Sequence, residues 1–239
     1  MTQFFTIWYN IGMSILTKLK NEIIVSLQAM PDEPLYREEC IVAFAKSLIE
    51  LGGVKALRLA GERDIKNIKK LYPDVIVIGI TKPDKIPENY KELVYITPTV
   101  KDCEKIINAG ADIVAFDGTM RRRPNDEMLV DLINFIHSKN KLAMADVATI
   151  IEAENASALG CDIISTTLSG YTKETENNPD TPDFKLVSKI KTLNKFAILE
   201  GKIWEKKDVK CAFESGADSV VIGSAITRPQ LIYKHFKEQ

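Results

Sequence analysis

The chain has 239 residues, 45% of them hydrophobic and 27% charged, with 32 Lys and Arg against 33 Asp and Glu and a formal net charge of -1. That length suits one large core, and the composition is that of an ordinary globular protein. So even a charge balance gives no electrostatic reason to expect a nucleic-acid or anionic-membrane partner.

In chain order, the opening MTQFFTIWYNIGM is apolar and aromatic and holds no lysine or arginine. A secretory signal needs a basic start, and the run is too short to span a bilayer. Residues 1–13 are therefore read as a disordered or loosely packed leader, with Met1 and Met13 both open as the start, and residues 14–239 as one catalytic domain.

EIIVSLQ is then a first strand, and EECIVAFAKSLIELGG a helix closing on glycine. KALRL is a second strand, ending near Arg58. RDIKNIKKLYP is a helix stopped by Pro73, and VIVIGIT a third strand delivering Lys82 just beyond it. A short β-like piece, LVYITPT, follows. Helix VKDCEKIINAG leads to strand DIVAFDGT with Asp117 at its end, and helix DEMLVDLINFIHSKN to strand KLAMADV with Asp146 at its end. TIIEAENASALG, DIISTTLSGYT and PDFKLVSKIKTL give helix, strand, helix. FAILEGKI, EKKDVKCAFESG and SVVIGSAITRP form a last βαβ unit whose strands both run into a glycine turn, and RPQLIYKHFKEQ is the final helix.

The eight strands begin near positions 22, 54, 75, 112, 141, 161, 195 and 218, about 28 residues apart, which is one βα unit per step. NAGADIV, ALGCDII and ESGADSV echo one another as repeated helix-stop and strand-start turns. The reading is a single-domain α/β protein, a closed (β/α)8 (TIM) barrel. An open doubly wound sheet is the rival, and the missing GxGxxG after the first strand weighs against it. Cys40, Cys103, Cys161 and Cys211 show no CxxC pairing and read as reduced core thiols of a reducing, cytoplasmic compartment. His137 and His235 fall in helical segments, so no metal site or catalytic histidine is expected.

Barrel active sites lie at the C-terminal ends of the strands, so the polar residues there are the candidates. They are Gln28, Arg58, Lys82, Asp117, Asp146, Thr166 and Thr167 with Tyr171, Glu200 with Lys202, and Gly223 with Arg228. Taken alone, Lys82 is an exposed loop lysine. Glu200 is different: a carboxylate between FAIL and a glycine is costly to bury unless paired or used. Strands three and seven are opposite in a ring of eight, so Lys82 and Glu200 face each other across the barrel mouth, an arrangement suited to inverting a carbon acid. Burial that lowers a lysine and raises a glutamate lets a neutral amine and a neutral acid coexist near neutrality. Asp146 either binds hydroxyls and orients Lys82 or simply caps the next helix. Arg58 either fixes a polar substrate group or forms an interstrand ion pair. Backbone N–H groups near Gly201, Gly223 and Ser224, with Arg228 and Lys202, outline a phosphate grip where this fold commonly holds one. The Arg121–Arg123 run reads as solvated charge over a helix entrance.

VSLQAMPDEPLY, IGITKPD, YITPT, MAD, TTLSGYT, EGKI and IGSAITRPQ resemble, in order, the pattern of the N-acetylmannosamine-6-phosphate 2-epimerase family of sialic acid catabolism, from about Ile23 to Phe236. The resemblance implies a cofactor-free enzyme interconverting N-acetylmannosamine 6-phosphate and N-acetylglucosamine 6-phosphate, and a dimer. It also implies that Lys82 is the base, Glu200 the acid and Asp146 a substrate and lysine partner, with Gln28 and Arg58 on the substrate and Gly201, Gly223 and Arg228 on its phosphate. Thr81 and Pro83 beside the lysine, and Leu59 and Gly61 beside Arg58, depart from the pattern. Two rivals keep the barrel: a phosphosugar aldolase with Lys82 or Lys202 as Schiff-base former, and a non-catalytic sugar-phosphate sensor.

Overall fold

Strands made of near-continuous apolar runs must bury both faces, one against neighbouring strands' side chains and the other against helices. The computed structural model, which describes residues 12–237, shows that solution. Eight parallel strands, β1 (Ile23–Leu27), β2 (Ala56–Ala60), β3 (Ile76–Ile80), β4 (Ile113–Asp117), β5 (Leu142–Asp146), β6 (Ile163–Ser165), β7 (Phe196–Glu200) and β8 (Ser219–Ile222), form a closed barrel in sequence order. Closure is made by β1 on β8, with Val25 opposite Ile222.

The connecting helices are α2 (Glu38–Lys46), α3 (Glu62–Leu71), α4 (Val100–Asn108), α5 (Leu129–Ser138), α6 (Ile150–Ala158), α7 (Phe184–Lys191), α8 (Lys206–Glu214), the four-residue α9 (Ser224–Thr227) and α10 (Pro229–Lys237). They follow a helix α1 that runs through residues 12–19. Several starts are set by side-chain caps: Thr99 accepts from the Asp102 amide, Asp183 from that of Leu186, and Thr149 forms a capping box with Glu152.

The alternation of strand side chains sorts the core into two layers. Leu57, Leu59, Val77, Val114, Ala143, Ala145 and Leu199 point outward onto the helices. Ile24, Ala56, Ile76, Ile78, Ile80, Ile113, Leu142, Met144, Ile163 and Ile198 fill the barrel interior. Helix packing is close enough that Gly79 has no room for a side chain: a Cβ there would lie 2.8 Å from Ala111 Cβ.

Two expectations change. LVYITPT is not a strand: a 3-10 turn over Tyr90–Glu92 leads into irregular chain. That chain is wedged between the upper ends of β3 and β4, where the Thr97 amide donates to Thr81 O (3.1 Å) and the Asp117 amide to Ile96 O (3.1 Å). The fifth helix begins at Leu129 rather than at Asp126, because Asn125 and Asp126 both have positive φ (59° and 56°). The expected leader, residues 1–13, lies outside the described residues as far as residue 11, whereas residues 12 and 13 already belong to α1. Leu19, with Ile15 and Leu16, packs α1 against the floor of the barrel interior.

Candidate active site

The inward parity of each strand carries its polar residues upward. Along β3 the inward positions read Ile76, Ile78, Ile80, then Lys82; along β5 Leu142, Met144, Asp146; along β7 Phe196, Ile198, Glu200; and along β6 Ile163, Ser165, Thr167. The interior is thus apolar at the bottom and polar at the top. There a cavity of about 410 Å³ opens, lined by residues that include Gln28, Arg58, Lys82, Thr167 and Glu200.

Arg58 is the centre of the polar layer, 1% exposed and reaching across the barrel. Its Nη2 donates to Asp146 Oδ2 (2.5 Å) and its Nη1 to Asp146 Oδ1 (3.1 Å), a bidentate pair. Nη1 also donates to Glu200 Oε2 and, at 3.3 Å, to Thr167 Oγ1. Nε is buried without a partner. Burial alone disfavours the guanidinium's charge, yet Asp146 and Glu200 more than offset it, and the group is held above its ordinary value. Of the two readings of Arg58, the interstrand ion pair is therefore present. Asp146 accepts from Arg58 and Thr167 and makes no hydrogen bond to Lys82, on which it acts only through its charge; nor does it cap α6, whose N-cap is Thr149.

Lys82 has no hydrogen bond or ion pair within bonding distance among the described residues. It is half-buried at the cavity wall. Loss of solvation, reinforced by the Arg58 charge and opposed by Glu200 and Asp146, lowers its amine to about 8. At pH 8 about half of such amines are neutral, against about one in 300 for an ordinary lysine. Glu200 moves the other way: burial raises it, Arg58 pulls it back, and Asp146 adds to the rise. Its Oε2 is held by Arg58 and Thr167, while no group among the described residues holds Oε1. A neutral amine and a carboxylic acid on opposite strands can remove a proton from one face of a ligand and return one to the other.

The anion side is less tied to charge than expected. Gly201, Gly223 and Ser224 line the cavity, and Gly201 sits at φ 108°, where a side chain is strained. Gly223 precedes α9, whose first amides have no intrahelical acceptor. Arg228 lines the cavity too, but pairs with Glu33 and donates to Gln28 O (3.0 Å). Lys202 also lines the cavity, but its Nζ is bonded to Pro179 O (2.9 Å) in the β6–α7 loop. Gln28 Nε2 donates to Ser26 Oγ (2.8 Å).

The reading of Arg121–Arg123 as solvated charge holds for Arg122 alone, 83% exposed in its pair with Asp126. Arg121 is half-buried in its pair with Asp117 (2.6 Å), and Arg123, 5% exposed, donates to the Asp117 carbonyl. Asp117 is thereby occupied with loop structure. Sequence reasoning missed Ser26 and Tyr95 as cavity walls and Glu33 as the partner of Arg228, whereas Thr167, a strand-end candidate, is a junction between Asp146 and Glu200. Strand parity would have found Ser26, which continues the inward series of β1. Nothing in PDEP marks Glu33. Among the described residues no group of three or more His, Cys, Asp or Glu is placed to hold a metal ion, and no helix is long and apolar enough to cross a membrane.

Comparison with known proteins bears on this geometry. Residues 41–239 match the model of a family described as "Putative N-acetylmannosamine-6-phosphate epimerase". A protein of Clostridium perfringens named "Putative N-acetylmannosamine-6-phosphate 2-epimerase" is 40% identical over 226 residues, covering 94% of this chain and 99% of that protein. One of the same name from Clostridioides difficile is 42% identical over 224 residues, covering 93% and 97%. The solved structure of the N-acetylmannosamine-6-phosphate 2-epimerase from Clostridium perfringens superposes with a TM-score of 0.86 at 39% identity, covering 94% of this chain and 95% of the other.

Proposed function

Because the chain belongs to the N-acetylmannosamine-6-phosphate epimerase family, we propose that it is an isomerase interconverting N-acetylmannosamine 6-phosphate and N-acetylglucosamine 6-phosphate at the carbon beside the aldehyde. The observation that carries the reading of the site is the pairing of an unpartnered, lowered amine on Lys82 with a raised carboxyl on Glu200, on opposite strands of one cavity. In the open-chain sugar the carbon-2 proton is acidified by the adjacent aldehyde. The neutral Lys82 amine takes that proton, and the C–H electron pair moves toward the carbonyl to give an enolate. Donors at the strand ends hold the oxyanion. Glu200 then releases its proton to the opposite face of carbon 2, the enolate electrons form the new C–H bond, and a carboxylate is left. The exchange is redox-neutral, so the scheme needs no electron acceptor. Amides near Gly201, Gly223 and Ser224 take the phosphate, with Arg228 supplying charge from its pair with Glu33 and Lys202 following if it leaves Pro179. Gln28, Arg58 and Asp146 shape the sugar side. A dimer in the cytoplasm, serving sialic acid breakdown, belongs to the same reading and rests on the family resemblance.

The test is a proton NMR assay with N-acetylmannosamine 6-phosphate in deuterated water. Deuterium at carbon 2 together with the gluco product is expected from the wild-type chain. Lys82→Met and Glu200→Gln are each expected to lower turnover at least ~100-fold while remaining folded. A folded wild-type chain that neither exchanges nor epimerises sinks the reading, and a borohydride-trapped adduct on Lys82 would replace it with an aldolase-type one.

A further inference from the structure

Asp146 Oδ1 and Glu200 Oε2 converge on the same two groups, Arg58 Nη1 and the hydroxyl of Thr167. Thr167 Oγ1 lies 2.7 Å from Asp146 Oδ1 and 3.1 Å from Glu200 Oε2, and also 2.9 Å from Ser165 Oγ. A hydroxyl has one proton, so it donates to one carboxylate at a time. Both Asp146 oxygens and Glu200 Oε2 already have protein donors, which leaves Glu200 Oε1 as the one oxygen of the pair without a partner among the described residues.

We propose that Thr167 is a positioning residue for proton transfer: its hydroxyl turns from Asp146 to Glu200 as Glu200 gives up its proton, and the Arg58 donor on Oε2 confines that proton to Oε1. The inference rests on the proposed epimerisation. With the acid protonated on Oε1, Oε2 is a weak carbonyl-type acceptor, and the Thr167 proton goes to Asp146. When the O–H bond of Glu200 breaks to form the C–H bond, its electrons stay on the carboxylate, and the hydroxyl swings to Oε2. The negative charge then meets a donor without any movement of backbone. The neighbouring Thr166 instead fixes the end of β7, its hydroxyl donating to the Glu200 carbonyl (3.0 Å) and accepting from the Glu200 amide (3.1 Å). The charged and titratable groups facing Glu200 are Arg58 on β2, Lys82 after β3, Asp146 on β5 and Tyr171 after β6, and these are unchanged by substitution at Thr167.

The Thr167 hydrogen bond favours the ionised form of Glu200, so removing the hydroxyl raises Glu200 further. In Thr167→Val, kcat is expected to fall about tenfold with KM within about twofold, the loss of one hydrogen bond to a charge made in the transition state. The limb of the kcat/KM profile that does not belong to Lys82 is expected at higher pH. Thr167→Ala should behave like the valine variant, and Thr167→Ser should restore both kcat and the profile. Should the valine variant misfold, the alanine and serine pair carries the same comparison. Coincident pH profiles for wild type and the hydroxyl-less variants, or a change in KM alone, overturn the inference while leaving epimerisation standing. A wild-type chain without carbon-2 exchange removes the premise and the inference with it.

Discussion

Lys82 shows how far a single residue's chemistry depends on what surrounds it. At the end of an apolar strand it looks like surface charge; in the barrel it is an amine without a partner, facing a cavity and lowered to about 8 by lost solvation. A base must be neutral to accept a proton, so activity that depends on this amine rises as pH climbs through about 8 and falls away below it. A kcat/KM profile should show that limb, and Arg58→Lys, which keeps a charge but loses the bidentate fork on Asp146, should displace it. A limb nearer 10.5 would mean that the Lys82 amine is solvated like an ordinary lysine and is not lowered by the barrel. Glu200 was marked by sequence because a carboxylate inside an apolar run is costly. Lys202 and Arg228 were marked for charge beside a glycine turn, yet each is held by a partner distant in sequence, Pro179 in one case and Glu33 in the other. Charge is written in the chain; its direction is not.

At the scale of elements, the strand and helix order follows from local signals, since apolar runs, glycine stops and threonine caps act within a few residues. The LVYITPT segment defeats that logic. It carries strand-like residues, but the places beside β3 and β4 along most of their length are already filled, and it bonds only at their upper ends through Thr97 and Ile96. Arg121 and Arg123 defeat it likewise, because an arginine run looks solvated until Asp117 lies beneath it. Gly79 marks the tightest strand-to-helix approach on β3, where a Cβ would sit 2.8 Å from Ala111 and 3.0 Å from Ile65. Gly79→Val is expected to lower stability by about 1–3 kcal/mol through overpacking, as read by urea unfolding. A loss below about 0.5 kcal/mol would show that α3 and α4 can move outward and that their packing on β3 is looser than these distances imply.

Across the whole molecule, closure is what builds the site. Arg58 meets Asp146 and Glu200 across separations of 88 and 142 residues, and Arg228 meets Glu33 across 195. Helix α10 is the part least absorbed by the barrel: none of its residues is fully buried, and Tyr233 and Phe236 are 68% and 80% exposed. Large aromatic side chains left in solvent on a terminal helix favour a second copy as cover. Sedimentation at micromolar concentration is expected to give a dimer that Phe236→Ser weakens; a monomer at that concentration would remove the dimer from the proposed function.

From sequence alone came the eight βα units, the barrel class, the resemblance, and the strand-end positions of Lys82, Asp146 and Glu200, because period, punctuation and misplaced charge are local properties of a chain. Which of those groups touch belonged to the closed barrel. Register and inward parity bring β2, β5, β6 and β7 to one point, where Arg58 binds two carboxylates and one hydroxyl proton is shared between them. Hydrogen bonds form at about 3 Å and desolvation depends on the surrounding atoms, so neither can be read before the strands are placed in space.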